Sequence, residues 1–182
     1  MAQAAFNPSR RQLLRGDTGS KRLPLRPPWS VEELAFINDC SRCGDCIQSC
    51  PEQILFKGSG GFPEVDFSRG ECTFCEDCVR VCKAPVFHST DHDPWNLKAH
   101  ISQSCVTYKQ VVCRSCAEQC EPEAITLKPQ LGGIATPKLD LSACTGCGAC
   151  VAVCPTKAIN VHQPLVQDAQ SMTANNDKEA EQ

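Results

Sequence analysis

A chain of 182 residues forms one ordinary domain or two small ones, and here 41% of the residues are hydrophobic but only 5% are aromatic, with sixteen cysteines. Rings this scarce cannot be the main cement of a core, and this many cysteines point to either a disulfide scaffold or a metal protein. The first thirty residues hold no apolar run fit for a signal-peptide core, and no stretch approaches the roughly 20 apolar residues of a membrane span. Export is therefore not expected, and a reducing cytoplasm leaves the cysteines as thiols available to metal.

The formal charge of −3 hides an asymmetry. Residues 1–28 carry Arg10, Arg11, Arg15, Lys21, Arg22 and Arg26 against Asp17 alone, so the body that follows is acidic. With the cysteines as thiolates around four cores of +2 each, the total charge falls to about −11. Such a molecule is strongly dipolar, and its acidic body is not a nucleic-acid binder.

In chain order, residues 1–28 read as a flexible basic arm, rich in Gly, Ser and Pro and lacking periodicity. Within it, Ser9-Arg10-Arg11-Gln12-Leu13-Leu14-Arg15-Gly16 opens like a twin-arginine export signal, yet a polar Gly-Asp-Thr-Gly-Ser-Lys-Arg follows where an apolar stretch is needed. Three readings stay open: a solvated tail, mimicry of an export signal, or a segment that docks an acidic partner through Arg10, Arg11, Leu13 and Leu14.

Four cysteine groups come next. They are Cys40-x2-Cys43-x2-Cys46-x3-Cys50, Cys72-x2-Cys75-x2-Cys78-x3-Cys82, Cys105-x7-Cys113-x2-Cys116-x3-Cys120 and Cys144-x2-Cys147-x2-Cys150-x3-Cys154. The segments inside each pair of groups also match. Each predicts a short strand (54–56; 125–127), a Gly-rich turn, and an alternating strand (Val65, Phe67; Leu139, Leu141) leading to the next group. The halves are copies of one unit. The fold expected is α+β: two tandem bacterial-ferredoxin-like modules with short hairpins and cysteine-bearing helices, over 29–90 and 105–165. Residues 91–104 read as a linker that packs on one half through Trp95, and 166–182 as a disordered polar tail. His88, His92 and His100 are expected to be surface or packing residues, since complete cysteine sets already exist.

The spacing suits a cubane. A [4Fe-4S] cluster presents four iron corners, each taking one soft thiolate. Cys-x2-Cys-x2-Cys puts three sulfurs on three corners in a tight loop whose N–H groups face the cluster, with Gly44, Gly146 and Gly148 permitting close approach. The fourth Cys lies one helical turn beyond the third, points away, and serves the other cluster of the pair. The ligand sets are then Cys40, Cys43, Cys46 and Cys82 for the first cluster, and Cys72, Cys75, Cys78 and Cys50 for the second. Cys105, Cys113, Cys116 and Cys154 form the third, and Cys144, Cys147, Cys150 and Cys120 the fourth. A strict copy would put the first ligand of the third group at Gln110, so Cys105 must reach in. Four [4Fe-4S] clusters are expected, or three if the Cys105 site is unfilled. Zinc is the competing reading, but its sites usually pair two Cys-x2-Cys units without a third Cys at x2 and a fourth at x3. No nucleophile–base pair or phosphate loop stands out, so the chain is not expected to be an enzyme by itself.

Taken together, SRRQLLRG, RPPW at 26–29, CSRCGDCIQSCPEQIL at 40–55, GGFPEVDF, ECTFCEDCVRVC, CVTYKQVVCRSCAEQCEP at 105–122 and CTGCGACVAVCPTKAI resemble one family. It is the family of ferredoxin-type accessory proteins of the periplasmic nitrate reductase system, the NapF family. The resemblance covers nearly all of 9–162, and the irregular third group is its most specific part. It implies a cytoplasmic protein, monomeric when free, that contacts the precursor of the catalytic molybdoenzyme subunit and helps that subunit acquire or keep its own [4Fe-4S] cluster. The competing expectation is an electron-transfer ferredoxin subunit that supplies electrons to a molybdenum oxidoreductase.

Overall fold

The computed structural model describes residues 24–164. Arg10, Arg11, Leu13 and Leu14, with the docking role given to them, and the tail at 166–182 lie outside the described residues.

Helix α1 (Glu33–Asp39) turns the buried Phe36 inward. Four one-turn helices follow, each carrying the third cysteine of its group at its second position: α2 (Asp45–Ser49), α3 (Asp77–Arg80), α4 (Ser115–Glu118) and α5 (Ala149–Ala152). Helices this short have almost no stability of their own. They pack in pairs, α2 on α3 and α4 on α5, as the pairing of the cysteine groups requires.

Each half also has an antiparallel hairpin between its two groups. Strand β1 (Leu55–Lys57) pairs with β2 (Pro63–Val65), with Leu55 opposite Val65. In the second half β4 (Ile125–Lys128) pairs with β5 (Thr136–Leu139), with Ile125 opposite Leu139. The hairpins stand where the sequence predicts them, but Phe67 and Leu141 fall beyond the second strands, which end at Val65 and Leu139.

The segment 91–104 is more than a linker. Strand β3 (Lys98–Ile101) pairs antiparallel with β6 (Ile159–His162), from Lys98 opposite His162 to Ile101 opposite Ile159. The second module thus begins before Cys105, because its incoming strand must satisfy the backbone of its outgoing one. The first half has a reduced version: Ser30 bridges Phe87, Val31 N–H donates to Val86 O at 3.0 Å, and His88 N–H donates to Trp29 O at 2.7 Å. The signal for β3 is in the sequence, where Leu97, Ala99 and Ile101 alternate with polar residues.

Leu25 and Arg26, read from the sequence as part of a flexible arm, are likewise fixed to the body. Val65 N–H donates to Leu25 O at 2.9 Å. Arg26 forms a two-pronged ion pair with Glu33 (Nε to Oε2 2.8 Å, Nη2 to Oε1 2.6 Å) and donates to Pro63 O at 3.0 Å. Its guanidinium lies over the rings of Phe36 (5.2 Å) and Phe62 (5.4 Å). A cation held by a carboxylate and two ring faces is fully engaged, so Arg26 belongs to the body.

A single core joins the two halves. Ile54, Leu55, Val65 and Phe67 of the first are continuous with Leu97, Ala99, Ala124, Ile125, Ile159 and Val161 of the second, with Cys78, Cys144 and Cys150 among them.

Candidate metal centres

Three of the four cysteine loops share one backbone design. Left-handed residues stand two positions after the first Cys and one after the second: Arg42 (φ 59°) and Gly44 (φ 88°), Phe74 (φ 55°) and Glu76 (φ 64°), Gly146 (φ 75°) and Gly148 (φ 85°). Each such turn swings the chain so that the next sulfur returns to the same side. Three of these six residues are not glycine: Arg42, Phe74 and Glu76 accept a conformation that disfavours side chains. The third loop departs from the design. Arg114 has φ −133°, Gln110 is left-handed instead, and the 3-10 turn Val106–Lys109 carries the chain from Cys105.

The loops bring the cysteines together in crossed sets. One cavity is lined by Cys72, Cys75 and Cys78 with Cys50 from the other group of the half. A second is lined by Cys144, Cys147 and Cys150 with Cys120. Around Cys46, the neighbouring thiols are Cys40, Cys82 and Cys43. Around Cys116 they are Cys105, Cys113 and Cys154. Cys105, buried and 3.2 Å from Thr107 Oγ1, therefore stands with the third set despite its distance in sequence. No histidine lines either cavity. His100 instead lies edge-on to His162, and His92 offers its carbonyl to Trp29 Nε1 at 2.8 Å.

The walls explain the electrostatics. Burial first, then crowding by neighbouring thiols, pushes Cys46 and Cys116 up to about 11, and Cys72, Cys78 and Cys150 up to about 12. Such groups stay protonated at neutral pH until a positive core draws the proton off. Backbone donors already face some sulfurs: Ala158 N–H donates to Cys154 Sγ at 3.2 Å, and Ala99 N–H to Cys144 Sγ at 3.5 Å. Among the described residues, no three or more His, Cys, Asp or Glu side chains converge where a single metal ion would sit. Four sulfurs around a void with apolar walls and N–H donors fit a polynuclear iron–sulfur group.

Gly146 and Gly148, expected from the sequence to permit close approach to the cluster, line the cavity of the Cys120/Cys144/Cys147/Cys150 set, and protein also crowds them. A Cβ on Gly146 would lie 2.5 Å from Leu97 O, and one on Gly148 would overlap the Phe67 ring. Gly146 lets the last loop seat against Leu97 of its own half, and Gly148 against Phe67 of the first. Sequence reasoning missed Phe67 and Leu97 as shapers of this loop, because contacts between segments far apart in the chain leave no periodic trace.

Comparison with known proteins fits this geometry. The 4Fe-4S dicluster domain family matches residues 39–86 and 111–158, and a further 4Fe-4S dicluster domain family matches 136–181. The chain is 47% identical to "Ferredoxin-type protein NapF" of Haemophilus influenzae over 166 residues, covering 86% of this chain and 94% of that one. It is 42% identical to "Ferredoxin-type protein NapF" of Escherichia coli (strain K12) over 151 residues, covering 83% and 92%. It is 34% identical to "Ferredoxin-type protein NapG" of the same strain over 152 residues, covering 71% and 65%. A match spanning 86% of the chain includes all four cysteine groups, the irregular third one among them. Its tandem 4Fe-4S dicluster halves, joined by one core and matched along nearly their whole length, make this chain a member of the NapF family of ferredoxin-type proteins.

Proposed function

We propose that the chain is an iron–sulfur accessory protein that assists maturation of the catalytic subunit of periplasmic nitrate reductase, acting in the cytoplasm on the precursor of that subunit before its export. It holds four [4Fe-4S] clusters, on the crossed sets Cys40/Cys43/Cys46/Cys82, Cys72/Cys75/Cys78/Cys50, Cys105/Cys113/Cys116/Cys154 and Cys144/Cys147/Cys150/Cys120. It is not an enzyme by itself. Each cluster, when bound, supplies one-electron chemistry in a thiolate cage. The chain's residues fix four sulfurs per cage, exclude water with Ile54, Leu55, Ala124 and Ile125, and offer N–H groups to the sulfurs.

One observation carries the reading: likeness to NapF proteins extends over 83–86% of the chain at 42–47% identity. The test is capture of the catalytic subunit by the anaerobically purified protein. Binding to the precursor and not to the exported form is the expected result. Equal binding to both, or to neither, overturns a role in maturation.

A second reading, an electron-transfer subunit for a molybdenum oxidoreductase, draws support from the contact between the inner cysteine sets of the two halves, where the Cys72 N–H donates to Cys147 O at 2.8 Å. Stable co-purification with the mature enzyme is the outcome that favours it.

A further inference from the structure

Each half has its own pair of cysteine sets and its own hairpin, so nothing in the repeat requires the halves to touch. Yet four of the ten aromatic residues form one edge-to-face row along their boundary. Trp29 stands 6.3 Å from Phe74, Phe74 5.7 Å from Trp95, and Trp95 5.8 Å from Phe67. The row touches cysteine loops at both ends of the boundary. Phe74 lies between Cys72 and Cys75, and Phe67 covers Gly148 between Cys147 and Cys150. Trp95 Nε1 donates to Thr145 O, between Cys144 and Cys147, at 3.0 Å. The Cys72 N–H donates to Cys147 O at 2.8 Å, and Cys147 is among the thiols that crowd Cys72. Inside each half the sets also adjoin, Cys46 beside Cys78 and Cys116 beside Cys150.

We infer that this boundary is a coupling joint: Phe67, Phe74 and Trp95 are positioning residues that hold the Cys50/Cys72/Cys75/Cys78 and Cys120/Cys144/Cys147/Cys150 sets edge to edge, so that the four sets form one line with the other two at its ends. The inference rests on the reading that these sets hold [4Fe-4S] clusters. Its physical content is distance. Electronic and magnetic interaction between redox centres falls steeply with the gap, so a joint that fixes the two inner cages in contact makes one four-centre conductor of what would otherwise be two separate pairs. Edge-to-face rings suit the task, because aromatic contacts of this kind are directional as well as apolar. A chain this poor in rings has placed both of its tryptophans in the row.

The test isolates the inner pair. Cys40→Ala and Cys43→Ala, with Cys113→Ala and Cys116→Ala, strip two ligands from each outer set, and the anaerobic protein is expected to keep about eight irons. After full reduction, its low-temperature paramagnetic resonance signal is expected to be broadened and fast-relaxing through interaction of two centres. Adding Trp95→Ala is expected to remove that broadening at unchanged iron content, and Trp95→Phe to retain most of it. A sharp, non-interacting signal at about eight irons overturns the joint, as does broadening that survives Trp95→Ala. If the outer replacements also empty the inner sets, the same comparison is made with all sixteen cysteines present. There, Trp95→Ala must narrow the reduced signal without loss of iron, and an unchanged signal overturns the inference. Protein that binds no iron under any of these conditions sinks the cluster reading itself, a failure distinct from that of the joint.

Discussion

Cys40 and Cys82 are far apart in sequence and share one neighbourhood around Cys46, whereas Cys50, only four residues beyond Cys46, lines the cavity of the other set. Replacement of Cys40 or Cys82 by Ala is therefore expected to abolish the same paramagnetic signal, and Cys50→Ala a different one. Matching losses for Cys40→Ala and Cys50→Ala would refute the crossed sets. Cys105→Ala is expected to lower the iron content from about sixteen to about twelve per chain. An unchanged count would mean that Cys105 closes no cage. The raised thiols also set a pH dependence. Burial favours their protonated form, from the ordinary 9.0 to about 12 for Cys72, Cys78 and Cys150, so each must release a proton when it binds metal. Anaerobic loading is expected to weaken as pH falls from about 8 to about 6, measured as irons bound at a fixed iron and sulfide concentration. The sign reverses for the iron-free chain. Its buried thiols contribute stability fully present below about 9 and lost as pH rises toward about 12.

At the scale of elements, the cysteine-bearing helices are single turns and the hairpins have strands of three or four residues, so none stands alone. Their order follows from the repeat, and the hairpins were legible because turn residues separate two short apolar strands. Strand β3 was not, although its alternation was visible, because its partner β6 lies at the far end of the module and four residues in a Pro-containing stretch give little local signal. The anchoring of Leu25 and Arg26 was hidden for a similar reason. A basic residue in a basic arm reads as solvated until its carboxylate and rings are found in space. Arg26→Ala leaves Glu33 half-buried without its partner and removes two ring contacts, and is expected to destabilise the first half by about 2–3 kcal/mol. Denaturant titration followed by bleaching of the cluster absorption checks this, with Lys at the same position recovering less than half, since a point charge cannot replace the two-pronged contact.

For the whole molecule, hydrophobic burial and metal ligation are interleaved, because Cys78, Cys144 and Cys150 belong to the same core as Ile54, Leu97 and Ile159. Removal of iron by an anaerobic chelator is expected to cost most of the far-ultraviolet dichroism as well as the colour. Retention of full secondary structure would show that the apolar core suffices. Read alone, the sequence determined the duplicated unit, the hairpins and the cysteine groups, because a cubane demands soft ligands at short fixed spacings and such spacing is written in one dimension. It also marked the third group as irregular. Only the tertiary structure decided where the second module begins, that Arg26 is fixed, and why Gly146 and Gly148 are glycine. It alone showed Phe67, Phe74 and Trp95 in edge-to-face contact beside the inner sets. These are contacts between segments brought together by a shared core, and two surfaces that meet in space need share no period, motif or spacing along the chain.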